Sequence, residues 1–297
     1  MHETWVKRRR RIGWLLAGPG IVGTVVIALY PLVVLVVLSL SQSSLGQPLR
    51  GWVGLDNFGR ALADHVFRAA LVKTVIYALV VTSLQLILGV AVALLLQQVT
   101  RGGALLRTLL LLPVMTPPVM LAVAWRLVLA PSGGLLNRML QGLGLIEAPV
   151  TFLGSPRLAF PAIAIADVWQ WMPFVALLTF AGLQLLPREV FEAASLDGAG
   201  VFQRFWHCTL PLLAPLLASL FLLRFIMATK LFDLVYVLTA GGPGFTTTVG
   251  SFYIYRVAFQ QFNIGYAAAL TILFGLVVGL TTLPVSRLRQ VVQRLEG

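Results

Sequence analysis

Long apolar stretches separated by short polar ones set the pattern of this chain, and six stretches reach membrane length: residues 12–40, 69–96, 109–130, 158–186, 212–237 and 265–284. About 20 apolar residues cross a bilayer as an α-helix. Lipid cannot satisfy open backbone N–H and C=O groups, and the chain lacks the alternating segments of a membrane β-barrel, so each stretch predicts a helix. The expected fold is all-α, a single transmembrane domain over residues 1–297 with six spans.

One polar segment breaks the pattern on a large scale. Residues 187–211, between the fourth and fifth spans, read as two short helices joined by a turn. Pro187 can take the first helical position, Arg188 to Leu196 are mostly good helix formers, and Gly198 can adopt a left-handed stop. A second helix is expected from Val201 to His207, ending before Pro211. Val190, Phe191 and Ala194 give the first helix an apolar side, and Phe202, Phe205 and Trp206 do the same for the second. An amphipathic loop of this kind calls for a partner groove.

Composition agrees with the apolar pattern. The chain is 59% hydrophobic and 11% charged, with a mean hydropathy of +0.92, far from the balance of a soluble domain. The net charge of +12 follows from topology. If both termini share one side, that side holds Lys7, Arg8, Arg9, Arg10, Arg11, Arg101, Arg107, Arg188, Arg204, Arg287, Arg289 and Arg294, which is 12 of the 22 basic residues. Basic flanks stay cytoplasmic, so both termini and the 187–211 loop are expected inside. The basic balance calls for no nucleic acid, although it can meet anionic membrane lipid. The basic start resembles a signal peptide, but the apolar run behind it is too long and lacks an Ala-x-Ala exit, so it reads as a retained first helix.

Catalytic chemistry finds little support. The single cysteine, Cys208, cannot form an internal disulfide, and His2, His65 and His207 have no second ligand at a metal spacing. A phosphate-binding loop needs Gly-x-x-x-x-Gly-Lys-Ser/Thr. Lys73 precedes Thr74, but Val72 and Phe67 stand where the glycines belong. The chain is therefore not expected to be an enzyme or to bind a cofactor itself; any ATP and Mg would belong to a partner ATPase.

The string Glu192-Ala193-Ala194, with Gly198 six residues after the glutamate and Leu210-Pro211 beyond, resembles the EAA motif of ABC importer permeases. Further strings narrow the resemblance to carbohydrate importers of the maltose-transporter type: Val53-Gly-Leu-Asp-Asn-Phe58, Gly134-Leu-Leu-Asn137, Asp167-Val-Trp-Gln-Trp-Met-Pro-Phe174, Ala181-Gly-Leu-Gln184, and Leu238-Thr-Ala-Gly-Gly-Pro243. Gly134 to Asn137 matches the first of the two permease subunits that such importers pair. The resemblance implies a type I importer permease fold in a bacterial inner membrane, with a second homologous permease subunit, an ATPase dimer and an extracellular or periplasmic solute-binding protein as partners. It implies that Val190, Phe191, Glu192, Ala193, Ala194, Asp197, Gly198, Phe202 and Phe205 couple to the ATPase. It also implies that the outer loops, with a sharp reversal at Gly241, Gly242 and Pro243, receive the binding protein.

The spans carry polar groups that lipid would not tolerate. Asp167, Gln170, Trp171 and Phe174 lie at i, i+3, i+4 and i+7 on one face of the fourth span, and Arg224, Met227, Ala228 and Leu231 repeat that spacing in the fifth. An acid, an amide and aromatic rings suit a sugar, and by the resemblance these faces line the substrate pathway. Arg224, Lys230 and Asp233 also recur in the family pattern, so they serve either as ligand contacts or as packing locks between helices. Pro113, Pro117 and Pro118 imply a kink or a helix boundary, and Gly89 and Gly275 suit close helix packing. The expected function is import of a sugar or sugar-like ligand by alternating access. An ABC permease for a polyol phosphate such as glycerol 3-phosphate and, further off, a secondary transporter are the alternatives.

Overall fold

A computed structural model describes the backbone of residues 2–294 and the side chains of residues 17–283. The side chains of Lys7 to Arg11, Arg287, Arg289 and Arg294, on which the orientation reading leans, lie outside the described residues. In chain order the helices are α1 (His2–Ser39), α2 (Asp56–Ala63), α3 (His65–Gln98), α4 (Gly103–Met115), α5 (Pro118–Val128), α6 (Leu135–Gly142), α7 (Ala159–Gln184), α8 (Arg188–Leu196), α9 (Val201–Arg204), α10 (Leu210–Thr229), α11 (Asp233–Leu238), α12 (Gly250–Tyr255) and α13 (Ile264–Arg294). Strands β1 (Ser41–Gln42) and β2 (Gly51–Trp52) pair antiparallel, with Ser41 opposite Trp52.

Among the described residues, five helical stretches are long and apolar enough to cross a membrane: Ala17–Ser39, His65–Gln98, Ala159–Gln184, Val201–Thr229 and Ile264–Leu283. A sixth span is available if α4 and α5, bent by 96° at their junction, count as one. The third span, expected over 109–130 with a kink or helix boundary at Pro113, Pro117 and Pro118, is divided there into two helices. Two successive pre-proline residues explain the break, because Pro Cδ disfavours the helical region for the residue before it. Thr116 and Pro117 are accordingly extended, with ψ of 126° and 137°.

The fifth span also differs from the single helix expected over 212–237. It stops at Thr229 and restarts at Asp233, with neither Gly nor Pro between. A tertiary contact holds the break open: Ser251 Oγ donates to the carbonyl of Leu231. At the other end of the span, Pro211 does not terminate the preceding helix as expected. A π-helical turn over Phe205–Thr209 joins α9 to α10 and leaves Pro211, which has no N–H to donate, in the first turn of α10.

The chain divides into two compact units, one from the N-terminus to Asp64 together with Ile254–Leu273, the other His65–Tyr253 with the residues from Phe274 onward. In the first unit Asn57 donates to the carbonyls of Ser39 (2.9 Å) and Ser41 (3.1 Å), which gives the Val53-to-Phe58 string a structural task at the end of α1. A Cβ on Gly265 would meet Ser41 O at 2.2 Å, so glycine there permits the backbone approach. Tyr266 donates to Asp64 at 2.8 Å, and its ring carries the Arg60 guanidinium 4.7 Å from the centroid.

In the second unit α3 packs along α7 in the same direction. Tyr77 meets Phe160, Gly89 lies against Val175 and Ala176, and Ala93 shares a cluster with Leu183. Parallel neighbours two spans apart are what an alternating in-and-out crossing produces. Gly89 makes the closeness possible, since a Cβ there would come within 2.7 Å of Val175. Leu213 and Leu217 of α10 complete the cluster around Ala93, and Phe225 and Ala228 pack on Ala78 farther along.

Candidate functional site

Three helices of the second unit bring their polar groups to one place. Asp167 of α7 accepts from Tyr77 Oη at 3.0 Å and stands 3.4 Å from an Arg224 nitrogen of α10. Gln85 of α3 links the pair. Its carbonyl oxygen accepts from Arg224 Nε at 2.8 Å, and its amide donates to the main-chain carbonyl of Asp167 at 3.2 Å. Arg224 is 1% exposed and Asp167 4%, so these charges are removed from solvent and satisfied by one another. The Arg224 guanidinium also lies 4.5 Å from the centre of the Trp171 ring, within cation–π range.

Beside this network is a cavity of about 130 Å³. Its walls include Asp167, Gln170, Trp171 and Arg224, with Met227 and Ala228 from the end of α10 and Lys230, Leu231 and Asp233 at the break. Phe174 is not in the wall; it sits edge-on to Trp171 at 6.1 Å. Trp169, on the opposite face of α7, pairs edge-on with Trp125. Gln170 turns its amide to the carbonyl of Thr116 (3.2 Å), an acceptor that the α4–α5 break leaves without a helical partner. Tyr77 and Gln85 were absent from the sequence-derived site. Both are buried polar side chains eight residues apart in an apolar span, a spacing that puts them on one helix face.

The loop after α7 forms a braced elbow. Pro187 precedes α8 as its N-cap residue rather than occupying the first helical position. At the other end Gly198 takes φ of +75°, with Ala199 N donating to Ala194 O (2.9 Å) and Gly198 N to Ser195 O (3.2 Å), the two bonds of a Schellman stop. Arg204 donates to Ser195 Oγ at 3.0 Å, tying α9 back to α8, and Gln203 accepts from the Gly200 N–H. Glu192, Ala193, Asp197 and Val190 are exposed, and so are Leu196, Phe202 and Trp206; Phe191, Ala194 and Phe205 are half-buried. Phe202, Trp206 and Phe205 form an edge-to-face cluster at 6.0 and 5.6 Å. A cleft of about 800 Å³ lies behind the elbow, walled by Gln97, Gln184, Arg188, Glu192 and Arg204 among others.

A second stiff feature follows α11. Gly241 and Gly244 have positive φ, the Gly242–Pro243 bond is cis, and hydroxyls of Thr246, Thr247 and Thr248 donate to the carbonyls of Pro243, Gly242 and Gly241 at 2.8 to 2.9 Å. A Cβ on Gly241 would come within 2.5 Å of Phe252. Lys73 Nζ donates to Phe245 O at 2.5 Å, anchoring the loop to α3. From α6, Asn137 binds Ala130 O and Val150 O with its amide and accepts from Val150 N, which accounts for the Gly134-to-Asn137 string.

Comparison with known proteins places this architecture. Residues 85–295 match the family described as binding-protein-dependent transport system inner membrane component. The chain is 39% identical over 289 residues to the trehalose/maltose transport system permease protein MalF of Thermococcus litoralis, covering 95% of this chain and 96% of that protein. It is 33% identical to the trehalose transport system permease protein SugA of Mycobacterium tuberculosis, over 90% of this chain and 85% of that protein. Its fold matches the crystal structure of a bacterial ABC transporter involved in import of the acidic polysaccharide alginate, with a TM-score of 0.81 at 23% identity over 97% of this chain and 98% of that one. The chain therefore belongs to the binding-protein-dependent transport system inner membrane component family, the multi-pass permeases of ABC importers.

Proposed function

We propose that this chain is one of two permease subunits of an ATP-driven importer that carries a saccharide such as maltose or trehalose into the cell. The observation that carries this reading is the continuity of one helix from the elbow to the cavity. Val201–Thr229 runs unbroken for 29 residues, about 40 Å at 1.5 Å per residue, with Phe202 and Phe205 at one end and Arg224 near the other. A push on the elbow is therefore carried toward the polar network along one continuous helix, through the π-helical turn at Phe205–Thr209.

The force comes from a separate ATPase dimer that binds ATP and Mg. It docks on Val190 to Phe205, where exposed apolar side chains and Glu192 offer an amphipathic ridge. The solute-binding protein delivers ligand to the braced outer loop around Gly241 to Pro243. Both termini and the elbow face the cytoplasm. At about 130 Å³ the cavity is smaller than the ~300–1,000 Å³ of ordinary ligand pockets, so it seats part of a saccharide and the second permease subunit supplies the opposite wall. The relatives' names, trehalose/maltose and trehalose permeases, support the saccharide.

The test is reconstitution. This chain, a second permease, an ATPase and a binding protein from neighbouring genes are placed in proteoliposomes, and uptake of labelled maltose and trehalose is followed with internal ATP. ATP-dependent uptake that requires the binding protein is the expected result. Uptake by this chain unaided would refute the reading.

A further inference from the structure

Four ionisable side chains line the central cavity, and they fall into two kinds. Asp167 and Arg224 are buried and already matched, with Tyr77 and Gln85 completing their hydrogen bonds. Their charges offset one another. Lys230 and Asp233 are the opposite case. They stand three residues apart at the break between α10 and α11, line the same cavity, and their side chains have no hydrogen-bond or ion-pair partner among the described residues.

An ammonium offers three donors and no acceptor; a carboxylate offers acceptors only. A saccharide hydroxyl needs both, and adjacent hydroxyls on a sugar ring can meet one of each through charge-assisted bonds. Trp171 and Phe232, in the same wall, supply flat surfaces for the ring's C–H faces. An anion fares differently. The lining holds two cations and two carboxylates, so its formal charge is zero. A phosphate or uronate entering it would add a negative charge that the lining does not offset, beside the Asp233 carboxylate.

We infer that Lys230 and Asp233 are a hydroxyl-reading pair that makes the cavity accept an uncharged saccharide and reject an anionic one. The inference rests on the import reading above and adds the determinant of its specificity. The span break is what makes the pair available: an unbroken helix would bond the backbone through Lys230 to Phe232 and carry the two side chains to a different relative height and direction.

The experiment uses the complete importer, both permeases with the ATPase, in lipid nanodiscs without binding protein. Equilibrium dialysis measures binding of radiolabelled maltose and trehalose, with glycerol 3-phosphate as competitor. In the native complex at least one disaccharide binds and glycerol 3-phosphate in large excess does not displace it. Lys230→Gln and Asp233→Asn each weaken disaccharide binding about tenfold, the effect of losing one charge-assisted bond. Asp233→Asn, which leaves Lys230 uncompensated, also lets glycerol 3-phosphate compete; Lys230→Gln does not. A pure packing role would weaken binding in both without changing the response to the anion. Competition by glycerol 3-phosphate in the native complex, or no gain of competition in Asp233→Asn, overturns the inference. Native complex that binds neither disaccharide overturns the import reading instead, which separates the two failures. A variant that does not assemble leaves the native competition result to decide.

Discussion

Gln85 joins Arg224 to Asp167 from a third helix, accepting from the guanidinium at 2.8 Å and donating to the Asp167 main chain at 3.2 Å. Its amide orientation is thereby fixed, because only one way round satisfies both neighbours. The arrangement ties α3, α7 and α10 together through side chains that are almost wholly buried.

Removing one member should therefore be costly and removing the charges together should not. Asp167→Ala leaves Arg224 buried without its carboxylate and is expected to lower stability by about 3–5 kcal/mol. The double change Asp167→Leu with Arg224→Met, which deletes both charges and keeps volume, recovers most of that loss. Thermal unfolding of the purified complex in detergent measures both. A double variant no more stable than Asp167→Ala would refute the pairing.

The bent third span makes a second prediction. Gln170→Leu removes the donor to Thr116 O and leaves a carbonyl at the α4–α5 break unsatisfied, a loss of about 1–3 kcal/mol. Gln170→Asn, one methylene shorter, should fall between the two. Hydrogen exchange of the amides around residues 116–121 reports the loosening directly, and unaltered exchange in Gln170→Leu would count against the contact.

Helix packing can be tested at two glycines that look alike in the sequence. Gly89→Ala places a Cβ 2.7 Å from Val175 and 3.1 Å from the Ala176 backbone, so α3 and α7 must separate, at about 1–3 kcal/mol. Gly275→Ala meets no atom within 4 Å of this chain and is expected to be silent for its folding. Equal melting temperatures for the two variants would contradict the close approach.

For the elbow, Gly198→Pro is incompatible with φ of +75° and should abolish uptake and co-purification of the ATPase while the permease stays in the membrane. Gly198→Ala is milder, about 1–2 kcal/mol for a left-handed alanine. Glu192→Lys, exposed on α8 and outside any internal bond among the described residues, is expected to lower ATPase attachment with no change in permease stability. Full uptake in Gly198→Pro and Glu192→Lys would remove the coupling assignment.

Gly241→Ala would drive a methyl group into Phe252 and Thr248 and distort the braced loop. The expected result is weaker association of the complex with its binding protein, read by titration on immobilised nanodiscs. Unchanged affinity would take this loop out of the docking surface.

Several of these features were legible in the residues alone. Long apolar runs demand helices whatever surrounds them, because the bilayer leaves the backbone no other partners. The elbow was legible because its stop signal is local: glycine at 198 adopts a conformation that other residues resist, and the polar run around it cannot sit in lipid. The faces bearing Asp167, Gln170 and Trp171, and Arg224, Met227 and Ala228, followed from the helical period; Leu231 lies past the end of α10.

What the residues alone left open are relations between segments far apart in the chain. Nothing near Tyr77 or Gln85 reveals that they meet Asp167, since a polar side chain in an apolar span signals burial but not its partner. Nor does the run from Thr229 to Asp233 announce a break, for it has no glycine or proline; the contact from Ser251 decides it. Helix formation is settled within a few residues by backbone hydrogen bonding, so sequence determined that these spans exist. The pairing of buried charges depends on which helices stand side by side, and that only the tertiary structure could decide.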